Sequence, residues 1–112
     1  MSKGKQLRHR HLSLLKQKGV TDAEFFESGL KSKKYRVEFT YKRKRYKINF
    51  GSRKDDQYKD STPLQLYKTR DHYDETRKDK FLSRARGITD KEGNLTYNNP
   101  LSANFWAINF LW

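Results

Sequence analysis

From Lys33 to Gly51, apolar and polar side chains alternate along two consecutive arms, and this period-2 pattern constrains the fold more than any other feature of the chain. On the first arm Tyr35, Val37, Phe39 and Tyr41 alternate with Arg36, Glu38 and Thr40. On the second, Tyr46, Ile48 and Phe50 alternate with Arg45, Lys47 and Asn49. An extended strand puts each set on one face. The pattern predicts a β-hairpin with one buried face and one wet face, ended by Gly51. The connection at Lys42-Arg43 has no Gly, Asn or Asp, so its turn type stays open.

Helical signals surround the hairpin. Residues 4–18 carry Leu7, His11, Leu14 and Leu15 at helical spacing, with Gly19 as the stop. Thr21 and Glu24 have the spacing of a capping box, and Val20 and Phe25 that of a hydrophobic staple. Together they predict a short helix over 22–28, closed by Gly29. After a polar loop over 52–61, Thr62-Pro63 reads as the N-cap and first residue of a helical turn carrying Leu64, Leu66 and Tyr67. A longer helix is predicted from Asp74 to Arg86, with Asp74 and Glu75 at its start and Arg84 and Arg86 at its end, as the helix dipole favours. Asp90 to Asn94 forms a turn. The tail Leu101 to Trp112 reads as a short helix capped by Ser102.

Only 33% of the 112 residues are hydrophobic, so the core is small and leans on the 14% that are aromatic. The predicted class is α+β: a small antiparallel hairpin or sheet packed with short helices and an aromatic C-terminal segment. Residues 1–30 are expected to form a basic helical N-terminal arm, and residues 31–112 a small α+β domain. The absence of cysteine excludes disulfides and thiolate metal sites. The polar, basic N-terminus predicts no secretory signal. The longest apolar run, Phe105 to Trp112, is far shorter than the roughly 20 residues that span a bilayer.

Charge is divided unequally. Residues 1–54 hold 17 basic and 4 acidic side chains, and residues 55–112 hold 9 of each, so the whole net charge of +13 comes from the first half. That asymmetry points to a polyanionic partner. The densest patch is Lys42, Arg43, Lys44 and Arg45, with Lys33, Lys34 and Lys47 nearby. These seven are the candidate anion- or nucleic-acid-binding residues. An acidic protein surface, an anionic membrane surface or plain solubility would use the same charges. Rings interleaved with cations also suit a single-strand platform. Strict alternation, however, puts Tyr35, Phe39, Tyr46 and Phe50 on the face opposite Arg36, Arg45 and Lys47, which favours core packing.

Other constellations are weaker. His9 and His11 project about 200° apart on a helix and do not converge on a metal, and His72 beside Asp71 suits capping better. Asp55, Asp56 and Asp60 lack metal-ligand spacing. There is no Gly-rich phosphate loop, His-Glu-x-x-His or Gly-x-Ser-x-Gly elbow, so no enzymatic activity, cofactor or metal is expected. The tail places Phe105, Ile108 and Trp112 on one side of a helix and Trp106 and Phe110 on another, a pattern that needs cover nearly all round. Its rings are expected to divide between the core and a partner surface. Leu7, Leu14, Leu15, Phe105, Trp106, Phe110 and Trp112 are the candidate interface residues.

Four features occur in fixed order: Lys34-Tyr-x-Val37, Ile48-x-Phe-Gly51, Asp71-His followed by Arg77-Lys78, Phe81-Leu82 and Arg84, and Ser102-Ala-x-Phe-Trp106 followed by Leu111-Trp112. This set, covering residues 33–112, resembles a family of small, basic, uncharacterised proteins of nucleocytoplasmic large double-stranded DNA viruses. Arg86 departs from the family, where a His often follows the Arg. The resemblance implies a virion protein, in the host cytoplasm or nucleus during assembly, with viral capsid proteins as partners in a larger assembly. The expected function is a non-enzymatic minor capsid (cement) protein that bridges neighbouring subunits, or the capsid and an anionic surface. The alternative is a basic nucleic-acid-binding protein that coats or condenses viral DNA.

Overall fold

A computed structural model describes residues 7–112 of the chain. It contains helix α1 (His9–Gln17), strands β1 (Val20–Glu27), β2 (Lys33–Tyr41) and β3 (Lys44–Ser52), a single 3-10 turn (Lys68–Arg70), and helices α2 (Glu75–Ala85) and α3 (Ala103–Phe110). The strands form one antiparallel sheet in the order β1-β2-β3. The fold is a compact α+β one with an aromatic cluster near the C-terminus.

The hairpin lies where alternation puts it, with Tyr35 opposite Phe50, Val37 opposite Ile48 and Phe39 opposite Tyr46. Lys42 and Arg43, at φ 51° and 68°, both adopt the left-handed conformation of a type I′ turn, the form whose twist matches the strands it joins. The inner sheet face buries Phe25, Tyr35, Val37, Phe39 and Phe50. Helix α3 closes this face with Phe105, Trp106 and Phe110; the rings of Trp106 and Phe110 meet those of Phe25, Phe39 and Phe50 at centroid distances of 4.9–6.4 Å. The Trp106 indole N–H donates to the Pro100 carbonyl at 2.7 Å, so its polar edge is satisfied inside the core.

Residues 20–27 are a strand, not the helix that the capping box predicts. Pairing with β2 outweighs the local signal, and Glu24 bonds Arg45 at 3.0 Å instead of reaching back to Thr21. A bulge between Thr21 and Glu24, with Asp22 at φ 53°, inserts one residue. Val20 and Phe25 can therefore both point inward although five positions apart. The predicted boundary at residue 30 falls in the β1–β2 connection. Helix α1 also packs on the core, burying Leu15 and His11. What was expected to be an arm is thus part of the domain from His9 onward. The part of the predicted helix that precedes residue 7 lies outside the described residues.

The loop after β3 is polar yet partly buried, and its polar groups are paired. The Asp60 carboxylate accepts from the Tyr35 hydroxyl (2.5 Å), the Tyr67 amide (3.0 Å), and the amide and hydroxyl of Thr62. Burial and the Asp60 hydrogen bond push the Tyr35 hydroxyl well above the ordinary tyrosine range. Thr62-Pro63 does not start a helix. Thr62 is held by Asp60, its hydroxyl accepts from the Gln65 amide at 3.2 Å, and the one helical turn comes later, at Lys68–Arg70. The remaining predictions of local structure hold: Asp74 caps α2 by accepting from the Thr76 and Arg77 amides, and Ser102 caps α3 through the Asn104 amide.

Candidate anion-binding cleft

The seven cations singled out in the sequence separate into distinct environments. Lys42, Arg43 and Lys44 stand exposed at the hairpin tip. Arg45 is exposed but engaged, donating to Glu24, the Asp22 carbonyl and Thr40. Lys47 lies on the outer sheet face, opposite Glu38. Lys33 and Lys34 lie at the other end of the hairpin, nine residues from the turn, or roughly 30 Å along an extended strand.

Lys34 corrects the sequence reading: it is 1% exposed and is not a surface cation. Its Nζ donates to the Asp55 carbonyl and the Gln57 side-chain oxygen, both at 2.6 Å. Gln57 in turn donates to Asp71 and the Tyr67 carbonyl. Burial, reinforced by the nearby Arg70 guanidinium, lowers the Lys34 amine to about 8, with Asp55, Asp60 and Asp56 opposing the shift.

The interface residues are corrected in the same way. Leu15, Phe105, Trp106 and Phe110 are in the core, and Leu7 and Leu14 pack partly buried against it. Burial of the tail rings resolves the need for cover that their spacing expressed. Among the tail rings Trp112 alone is only partly buried, stacked on Phe81 at 4.2 Å and 8°.

That stack borders a cleft of about 480 Å³ between the Lys33/Ser52 end of the hairpin, α2 and α3. Five cationic residues line it. Lys33 comes from β2 and Arg77, Lys80 and Arg84 from α2, while Lys34, also of β2, lines it with an ammonium already bonded to Asp55 and Gln57. Positions 77, 80 and 84 fall on one face of a helix, at i, i+3 and i+7. The Asn104 amide fixes the angle between the two helices by donating to the Ala85 carbonyl (2.8 Å) and the Thr96 hydroxyl (3.0 Å). Gly51, Ala103, Ala107 and Leu111 add small or apolar residues to the lining. Gly51 has φ +82°, and a Cβ there would lie 2.8 Å from Leu111 Cδ1 and 3.3 Å from Lys34 Cβ, so only glycine lets β3 come this close to the end of α3.

Two acids also line the cleft. Asp56 is paired with Arg70 at 3.1 Å, leaving Asp55 as the acid not joined to another cation's side chain there. The cluster is therefore strongly positive although it draws on the neutral half of the sequence. The acids of that half are used locally: Asp60 and Asp71 inside the buried network, Asp74 in a helix cap, and Asp90 in holding the turn amides of Glu92 and Asn94. Arg77, Lys80 and Arg84 are the residues the sequence reading missed. Their helical spacing was the available signal, hidden by a regional charge of zero.

Among the described residues, no three His, Cys, Asp or Glu side chains gather as a metal ion would need. His11 is buried against Phe110, with its Nε2 2.9 Å from the Asn109 carbonyl, and burial beside Arg10 lowers it to about 4. His72 accepts from the Asp74 amide through Nδ1 and packs against Trp112. No protein-family model, curated protein or solved structure matches the chain.

Proposed function

We propose that the protein is a non-enzymatic polyanion-binding protein that holds nucleic acid through its phosphates, with the cleft as the principal site and the hairpin tip as a second contact. The observation that carries this reading is the convergence of Lys33, Arg77, Lys80 and Arg84, from two separate elements, on one concave surface. Like charges repel, and four of them gathered around a cleft make it the part of the surface most favourable to an anion. The tip adds support. Lys42 and Arg43 occupy left-handed positions that cost non-glycine residues roughly 1–2 kcal/mol each, while Asn-Gly would fit with less strain.

The test is affinity for a nucleic acid oligomer across a salt series. A protein that neutralises several phosphates loses affinity steeply with salt, with a log–log slope of about −0.7 to −0.9 per phosphate. Replacing Arg77, Lys80 and Arg84 together with Gln is expected to flatten the slope by roughly 2–3 and to weaken binding at least about tenfold at moderate salt. A slope that the triple substitution leaves unchanged rejects the cleft as the principal site.

A second reading, a minor capsid protein bridging neighbouring subunits, draws on the viral resemblance and on one structural observation. The connection between α2 and α3 exposes Ile88, Leu95, Tyr97 and Leu101, a run of apolar side chains suited to a protein contact. Under that reading the protein stays with emptied capsids in fixed stoichiometry when virions are fractionated. Recovery with released genome alone rejects it.

A further inference from the structure

We propose that the cleft receives the base of an unpaired nucleotide while the cations around it hold the neighbouring phosphates, so that the protein prefers single strands carrying bases to phosphate chains of equal charge. This inference rests on the polyanion reading above and names the ligand of the same site.

A site for phosphates alone needs cations on an open surface, as at the hairpin tip. The cleft has a second character. Small apolar residues line it beside the cations: Ala103 and Ala107 lie one turn apart on the same face of α3, and Gly51 comes from β3. A larger side chain at 103 or 107 would take up part of the space. A volume of about 480 Å³ falls within the roughly 300–1,000 Å³ of small-molecule sites, enough for one planar base and its sugar. The stacked pair of Phe81 and Trp112 forms an aromatic side to this space, and base–aromatic stacking is tolerant of sequence. Arg77, Lys80 and Arg84 follow one another along α2 and offer successive contacts to a backbone passing over the opening. A flat apolar group flanked by negative charges is the ligand this combination fits. Bases within a duplex are already stacked and paired, and they present only phosphate and groove edges to such a cleft.

The experiment compares two labelled dodecamers of equal charge, oligothymidylate and an abasic deoxyribose-phosphate chain, by fluorescence anisotropy at matched salt. The intact protein is expected to bind oligothymidylate at least about fivefold tighter, the lower end of what stacking one base contributes. Ala107→Leu, checked for folding by circular dichroism, is expected to bring the ratio of the two affinities to about one. A measurement on the unaltered chain needs no variant. Trp106 is fully buried, so acrylamide quenching reports on Trp112, and oligothymidylate but not the abasic chain is expected to reduce it. Equal affinity for the two dodecamers, a preference that survives Ala107→Leu, or unchanged quenching overturns the inference. Salt-sensitive but equal binding does so while leaving the polyanion reading intact, whereas no binding of either dodecamer rejects both.

Discussion

The two ends of the β2–β3 hairpin carry comparable positive charge and have opposite structural character. At the tip, Lys42, Arg43 and Lys44 project into solvent from a turn that bulky side chains fit poorly. At the other end, Lys33 joins three cations of a distant helix around a cleft lined by small apolar residues, Lys34 is buried beneath its own hydrogen bonds, and Gly51 occupies the left-handed position. One end keeps its cations at a backbone cost, and the other keeps a glycine so that helix and strand can approach. A run of charge in a sequence therefore marks where charge is, while a site forms where the fold brings charge to a shaped surface.

The contrast can be broken most severely at Gly51. Gly51→Val adds left-handed strain to a clash with Leu111 and Lys34, and is expected to destabilise the fold by roughly 2–5 kcal/mol, read as a fall in melting temperature. If stability is unchanged, the close approach at the cleft end is not a constraint. Lys34 gives a second test. Its amine titrates near 8 when folded and near 10.5 when unfolded, so the unfolded chain binds more protons between those values. Stability from this group is therefore lowest below pH 8 and rises toward pH 10, by roughly 1–3 kcal/mol relative to Lys34→Met over the same range. Above pH 10 the raised Tyr35 hydroxyl acts in the opposite sense, because the unfolded tyrosine ionises first. Parallel pH profiles for the two proteins would contradict the desolvation of Lys34. The smallest effect belongs to the tip. Lys42→Asn combined with Arg43→Gly is expected to stabilise the fold by about 1 kcal/mol while weakening nucleic acid binding less than the triple substitution on α2 does. A larger loss of binding from the tip would reverse the ranking of the two ends.

The hairpin was legible in the sequence because both arms alternate, and α2 and α3 were legible because Asp74 and Ser102 act as caps on their own chain neighbours. These signals need no knowledge of the rest of the molecule. Strand β1 was not legible: its bulge at Asp22 breaks the alternation, and the Thr21–Glu24 spacing imitates a helix start that pairing with β2 overrides. The buried network around Asp60 was also hidden, since nothing in a polar loop says that Tyr35 will reach it. The cleft depended on the angle between α2 and α3, set by Asn104, and on acids that pair locally and leave cations free in a region of zero net charge. The terminal rings were read correctly as needing cover, but how much of that cover the sheet supplies became evident only from the packing of Trp106 and its neighbours.

The order of elements along the chain has a consequence for synthesis. The sheet is complete at Ser52, but its inner face is closed by α3, whose last residue is Phe110. At ribosomal speeds of about 5–20 residues per second, Phe25, Val37, Phe39 and Phe50 wait on the order of 3–12 s for their partner rings. During that interval the nascent chain presents a two-edged apolar sheet, the kind of surface that general chaperones bind.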